Sequence, residues 1–130
     1  MNILQPPGWA PPKGYSNGIA AQGRMIFVGG MIGWDGQGQF HTDDFAGQVR
    51  QTLQNIVAVL AEGGARPEHI VRMTWYVVDK KEYLGAAKEV GAAYREIIGR
   101  HYPAMTAVLV MALVEDRARV EIEVTAVIPD

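Results

Sequence analysis

From Phe45 onward apolar residues recur every three or four positions, at Phe45, Val49, Leu53, Ile56 and Leu60, with Gln48, Arg50, Gln51 and Gln54 between them. That period predicts an amphipathic helix. Thr42 or Asp43 stands where an N-cap is needed, and Gly63-Gly64 offers a left-handed exit. A second stripe, Tyr83, Ala87, Val90, Tyr94 and Ile97, follows Asp79 and Glu82, which have the spacing of a capping box. Pro103 sets the end of this helix near His101, because the residue before a proline is driven out of helical geometry.

Elsewhere the pattern turns β-branched and aromatic. Gly18 to Ala21 and Met25 to Ile32 flank Gln22-Gly23-Arg24 and read as a hairpin, closed by the Asp-Gly chemistry of Trp34-Asp35-Gly36-Gln37-Gly38. Ile70 to Val78 is a strand that stops at Asp79. Thr106 to Leu113 and Arg119 to Ile128, separated by Glu115-Asp116-Arg117, read as a closing hairpin. The order β-β-α-β-α-β-β, with room for a short strand near Gln39, predicts an α+β domain over residues 1–130. A single mixed sheet then carries two helices on one face. Pro6, Pro7, Pro11 and Pro12 leave residues 1–13 as an extended, Pro-rich arm. Val108-Leu109-Val110-Met111 is apolar on both parities, so the second sheet face is expected to be buried against another subunit.

Composition removes several function classes. There is no cysteine, which excludes disulfides, thiolate nucleophiles and cysteine metal sites. Twelve basic and fourteen acidic residues give a net charge of −2, with no basic accumulation, which argues against nucleic acid as a partner. The longest apolar runs fall short of the roughly 20 residues that cross a bilayer, so no membrane association is expected. The first residues lack the charged-then-apolar pattern of a signal peptide, and a cytoplasmic location is expected. His41, His69 and His101 are scattered, so no metal site is expected.

Four segments carry a resemblance. Gly14-Tyr15-Ser16-Asn17, Phe27-Val28-Gly29-Gly30, Tyr102-Pro103-Ala104-Met105-Thr106 and Val120-Glu121-Ile122-Glu123 together resemble the YjgF/Rid family of reactive intermediate deaminases, also called L-PSP proteins. The likeness runs from about Tyr15 to Val127. It implies a chorismate-mutase-like subunit, a homotrimer whose sheets form a central barrel, and pockets in the clefts between subunits. It also implies hydrolysis of a small enamine or imine to a keto acid and ammonia, with no cofactor. On this resemblance Tyr15 matches the tyrosine that closes the pocket, Gly30 the backbone glycine, and Glu121 the carboxylate that places the attacking water.

One departure stands out: where the archetypal branch has an arginine gripping the substrate carboxylate, this chain has Met105. Serine, glutamine and cysteine positions of the family are also replaced, by Gly29, Met31 and Ala107. Met31, Met105, Ala107 and Met111 therefore describe a more apolar pocket, suited to a larger or less acidic ligand. His101 is the first candidate to supply the missing cation, ahead of Arg24 and Arg72. Trp75 shares its parity with Val71, Met73 and Val77, so it reads as core or as a stacking platform in the binding region. Glu121 and Tyr15 each have a plainer reading too, as a solvated carboxylate and a packed aromatic. Two functions remain open: a cofactor-free imine or enamine deaminase that is non-archetypal at position 105, and a non-catalytic trimer that binds a small molecule.

Overall fold

The computed structural model describes residues 1–130. Six strands, three helices and one 3-10 turn follow in order: β1 (Asn2–Leu4), β2 (Gly18–Ala20), β3 (Arg24–Ile32), α1 (Phe45–Glu62), the turn Pro67–His69, β4 (Ile70–Val77), α2 (Lys80–Gly85), α3 (Ala87–Ile97), β5 (Ala104–Leu109) and β6 (Val120–Ile128). The main sheet has the order β3-β6-β4-β5. β6 runs antiparallel to both β3 and β4, while β5 runs parallel to β4. The fold is α+β with a mixed sheet.

All five apolar residues of the first helical stripe are buried, Val49, Leu53, Ile56 and Leu60 completely. They pack on Met73, Trp75 and Val77 of β4 and on Val120, Ile122, Val124 and Ala126 of β6, with Tyr94 and Ile98 joining from the second helical layer. Each such side chain contributes about 1.5–3 kcal/mol by leaving water. Asp44, rather than Thr42 or Asp43, caps α1: its carboxylate accepts from the Gly47 N–H, while Thr42 Oγ1 accepts from the Asp44 N–H. Gly64 provides the left-handed exit at φ 79°.

Both expected hairpins are absent. β2 pairs with β1 in a separate two-stranded ribbon, so the start of the proline-rich segment is itself a strand. At φ 148°, Gly23 presses its backbone against the Ile128 carbonyl, which admits β3 alongside β6 instead. β4 lies between β5 and β6, because the long, largely exposed link after Leu109 lets β6 take a central position, with one face buried under the helices. The second helix is two helices. Gly85, a poor helix former, precedes Ala86 at φ −98° and ψ 9°, where the helical run breaks. Only half of the capping box forms: Asp79 accepts from the Glu82 N–H, but the Glu82 carboxylate takes a forked bond from Arg119 in the loop leading into β6.

Candidate functional site

The sheet has one face under the helices and one open face, and the sequence-predicted residues divide between them. Val28 opposes Val124 and Met31 opposes Ile122, so three steps along β3 match two along β6. This bulge brings Gly30 against Glu121. A Cβ at position 30 would stand 1.9 Å from Glu121 Oε2, so the carboxylate lies directly over the glycine. Glu121 is half-buried and has no hydrogen-bond or ion-pair partner within the chain; its neighbour Tyr76 donates instead to Glu123 Oε1 at 2.8 Å. That bond, with burial and the charges of Glu123 and Glu121 behind it, raises the Tyr76 phenol above its ordinary pKa.

Tyr15 sits at the opposite edge. Ser16 anchors it: the Ser16 N–H donates to the Pro103 carbonyl at 3.0 Å, its hydroxyl donates to the Tyr102 carbonyl, and Ser16 bridges to Ala104 at the head of β5. The Tyr15 ring is left largely exposed there. Met105 opposes Met73, and Ala107 opposes Trp75, which puts both β5 residues on the helix-covered side. Met31 also packs toward the core, but from β3, at the far edge of the sheet. The apolar pocket expected from Met31, Met105 and Ala107 is therefore not assembled by one chain. Met111 lies fully exposed on the loop after β5.

Counting strand spacing and rise, Met105 and Glu121 are about 14 Å apart in the sheet and on opposite faces. One chain thus holds two separate groups, Gly30 with Glu121 and Tyr15 with Met105. His101 donates its Nε2–H to the Ile70 carbonyl at 2.6 Å, a bond that ties the approach to β5 to the start of β4. Arg24 is similarly engaged, donating to the Gly63 carbonyl. Arg72 stands on the open face near Glu123.

A sizeable cleft belongs to the second group. About 480 Å³ in volume, it opens between β4–β5 and α2–α3, with Trp75, Tyr83, Val90, Tyr94, Tyr102 and Met105 among its walls. Tyr94 and Tyr102 stack at 5.6 Å between ring centroids. Tyr94 donates to the His101 carbonyl at 2.6 Å, and burial, with the neighbouring Tyr102, pushes its phenol well above the ordinary tyrosine range. Sequence periodicity assigned Tyr83, Val90 and Tyr94 to helix packing alone. The split of the helix at Ala86 turns part of that apolar stripe into a cavity wall. Lys13 and Arg95 also line the cleft, and sequence reading missed both because their charge is ordinary for an exposed helix and loop.

Comparisons with known proteins agree with this fold. The family model described as "Endoribonuclease L-PSP" matches residues 8–128. A RutC family protein of Pyrococcus horikoshii is 33% identical over 113 residues, 86% of this chain and 85% of the relative. A 2-iminobutanoate/2-iminopropanoate deaminase of Salmonella typhimurium is 31% identical over 108 residues, covering 81% of this chain and 80% of that protein. Among solved structures, a Rid-family protein of unknown function from Yersinia pestis superimposes with a TM-score of 0.83 at 28% identity over 98% of each chain. E. coli TdcF with bound serine gives 0.69 at 28% identity, covering 98% of this chain and 99% of that one. No helix here is long and apolar enough to cross a membrane.

Proposed function

The chain belongs to the YjgF/Rid (endoribonuclease L-PSP) family, and on that premise we propose that it hydrolyses a small imine or enamine in clefts between the subunits of a homotrimer. The observation that carries this reading is the Glu121 carboxylate, half-buried, lying over Gly30 and free of any partner in its own chain. A carboxylate left without a partner on a sheet is suited to holding and deprotonating water.

In the proposed reaction an enamine first tautomerises to its imine. Glu121 accepts a proton from water as the water oxygen adds to the C=N carbon, forming a C–O bond, and returns that proton to the nitrogen to give a neutral carbinolamine. Collapse of the carbinolamine breaks the C–N bond as Glu121 relays the hydroxyl proton to the departing nitrogen, so that the carbonyl forms and ammonia leaves. The Gly30 backbone orients the reacting group and Tyr15 closes over it. Intersubunit clefts are favoured by the separation of Tyr15 from Glu121 within one chain. They are also favoured by the apolar side chains left exposed at both sheet edges, Phe27 at 70% and Leu109 at 57%. Serine bound to TdcF supports a ligand of amino-acid size. A net charge of −2 weighs against the ribonuclease activity in the family's description.

The test is ammonia release from imines generated in situ by an amino acid oxidase. Glu121→Gln is expected to lower the accelerated rate about 10²–10⁴-fold while sedimentation stays unchanged. A Glu121→Gln variant as active as the wild type would overturn the assignment.

A further inference from the structure

The cleft beside Met105 combines three features that are separately unexplained. Its walls are aromatic and apolar, yet Lys13 and Arg95 stand at it without a carboxylate partner: the chain's ion pairs engage Arg50, Arg66, Arg117, Arg119 and His41 instead. Arg95 lies back over Gly91 on the same helical face, where a Cβ would come within 3.2 Å of its guanidinium. Trp75, only 4% exposed, lines the cleft, and its Nε1 is the one buried side-chain nitrogen or oxygen in the chain without a hydrogen-bond partner. A buried N–H with no acceptor carries an uncompensated desolvation cost, which an acceptor supplied by a ligand removes. At about 480 Å³ the cleft falls within the range of small-molecule sites.

We infer that this cleft receives the body of a bulky 2-imino or 2-keto acid, aromatic or large and branched, whose carboxylate is held by Arg95 and Lys13 rather than by residue 105. Met105 then forms apolar wall where an arginine would have bound a short substrate, and Tyr83 with the Tyr94–Tyr102 stack contacts the side chain. The 2-keto or 2-imino acceptor lies against Trp75, whose Nε1–H, closed to solvent within the chain, turns to meet it. The inference rests on the imine-hydrolysis reading for the identity of the reacting group; the binding mode follows from the cleft.

Phenylpyruvate, pyruvate and the neutral 3-phenylpropanamide serve as probes, titrated calorimetrically and by ¹H–¹⁵N spectra in which the Trp75 indole is assigned with Trp75→Phe. Phenylpyruvate is expected to bind at least about tenfold tighter than either other probe and to shift the Trp75 indole signal. Arg95→Gln is expected to weaken phenylpyruvate about tenfold and to erase the preference for acid over amide, with Lys13→Gln adding to the loss. Both side chains are exposed, so neither variant endangers the fold. Undetectable binding, pyruvate binding as tightly as phenylpyruvate, an unmoved indole signal, or unchanged affinity in the double variant would each overturn the inference. Arg95-dependent binding without ammonia release would sink the deaminase reading and leave this one standing. Fast turnover of the alanine-derived imine, indifferent to Arg95→Gln, would do the reverse.

Discussion

Gly30→Ala separates the role of a residue in the fold from its role in the site. The new methyl would stand 1.9 Å from Glu121 Oε2 and 2.8 Å from Cδ, whereas ordinary contact begins near 3.4 Å. The carboxylate must therefore retreat by about 1.5 Å. The retreat is cheap, because Glu121 has no internal partner to give up and position 30 has no positive φ that alanine would resist. Stability is expected to change by less than about 1 kcal/mol. A displacement above 1 Å at a reacting group costs about 10²-fold in rate, so ammonia release should fall by that factor with the unfolding midpoint nearly unchanged. Gly29→Ala is the control: a Cβ there meets nothing within 4 Å, and both measurements should stay at wild-type values. A Gly30→Ala enzyme with full activity, or one destabilised by more than about 2 kcal/mol, would refute the reasoning.

With methionine at position 105, acceleration on imines of short amino acids should be weak, and Met105→Arg should raise it about ten- to hundredfold; adding Glu121→Gln should abolish the gain. Thermal unfolding must accompany those kinetics, since an arginine entering a half-buried site carries a desolvation cost. Glu82→Gln breaks the forked bond from Arg119 between α2 and the approach to β6, and urea unfolding should show a loss of about 1–2 kcal/mol; an unchanged midpoint would contradict this. Asp35 is held below the ordinary Asp pKa, first by the Gln39 N–H and then by His41 and the Gln37 N–H. Its contribution is therefore complete above the ordinary Asp value and is lost as pH falls through the depressed one. The gap in unfolding midpoint between wild type and Asp35→Asn should accordingly be constant at neutral pH and close below about pH 4; a gap that persists in stronger acid would count against it.

What was legible in the sequence is what depends on local periodicity. The stripe from Phe45 to Leu60 is the buried face of α1, and Asp79 caps the following helix. Gln48, by contrast, reads as polar surface and is completely buried. Its amide donates to the Thr42 and Arg117 carbonyls and accepts from the Arg119 N–H, and two of these partners lie some seventy residues away, beyond any local pattern. Strand pairing failed for the same reason: adjacent strands suggest hairpins, whereas β6 wins the central position by burying Val120, Ile122, Val124 and Ala126. For the site, motif matching brought Gly30 and Glu121 to one place, and strand parity put Trp75 in the core. It gave no sign of the cleft between the split helix and β5, or of Arg95 and Lys13 beside it. His101, chosen as a cation, is instead a backbone tie.

The central claim, a site built from Tyr15 of one subunit and Glu121 of another, is tested most directly by mixing variants. Tyr15→Phe and Glu121→Gln should each be nearly inactive as pure oligomers. Co-refolded in equal amounts, they should recover about one quarter of wild-type ammonia release, because random assembly restores both side chains at that fraction of interfaces. A mixture no more active than its components, although native mass spectrometry finds mixed trimers, would contradict the claim.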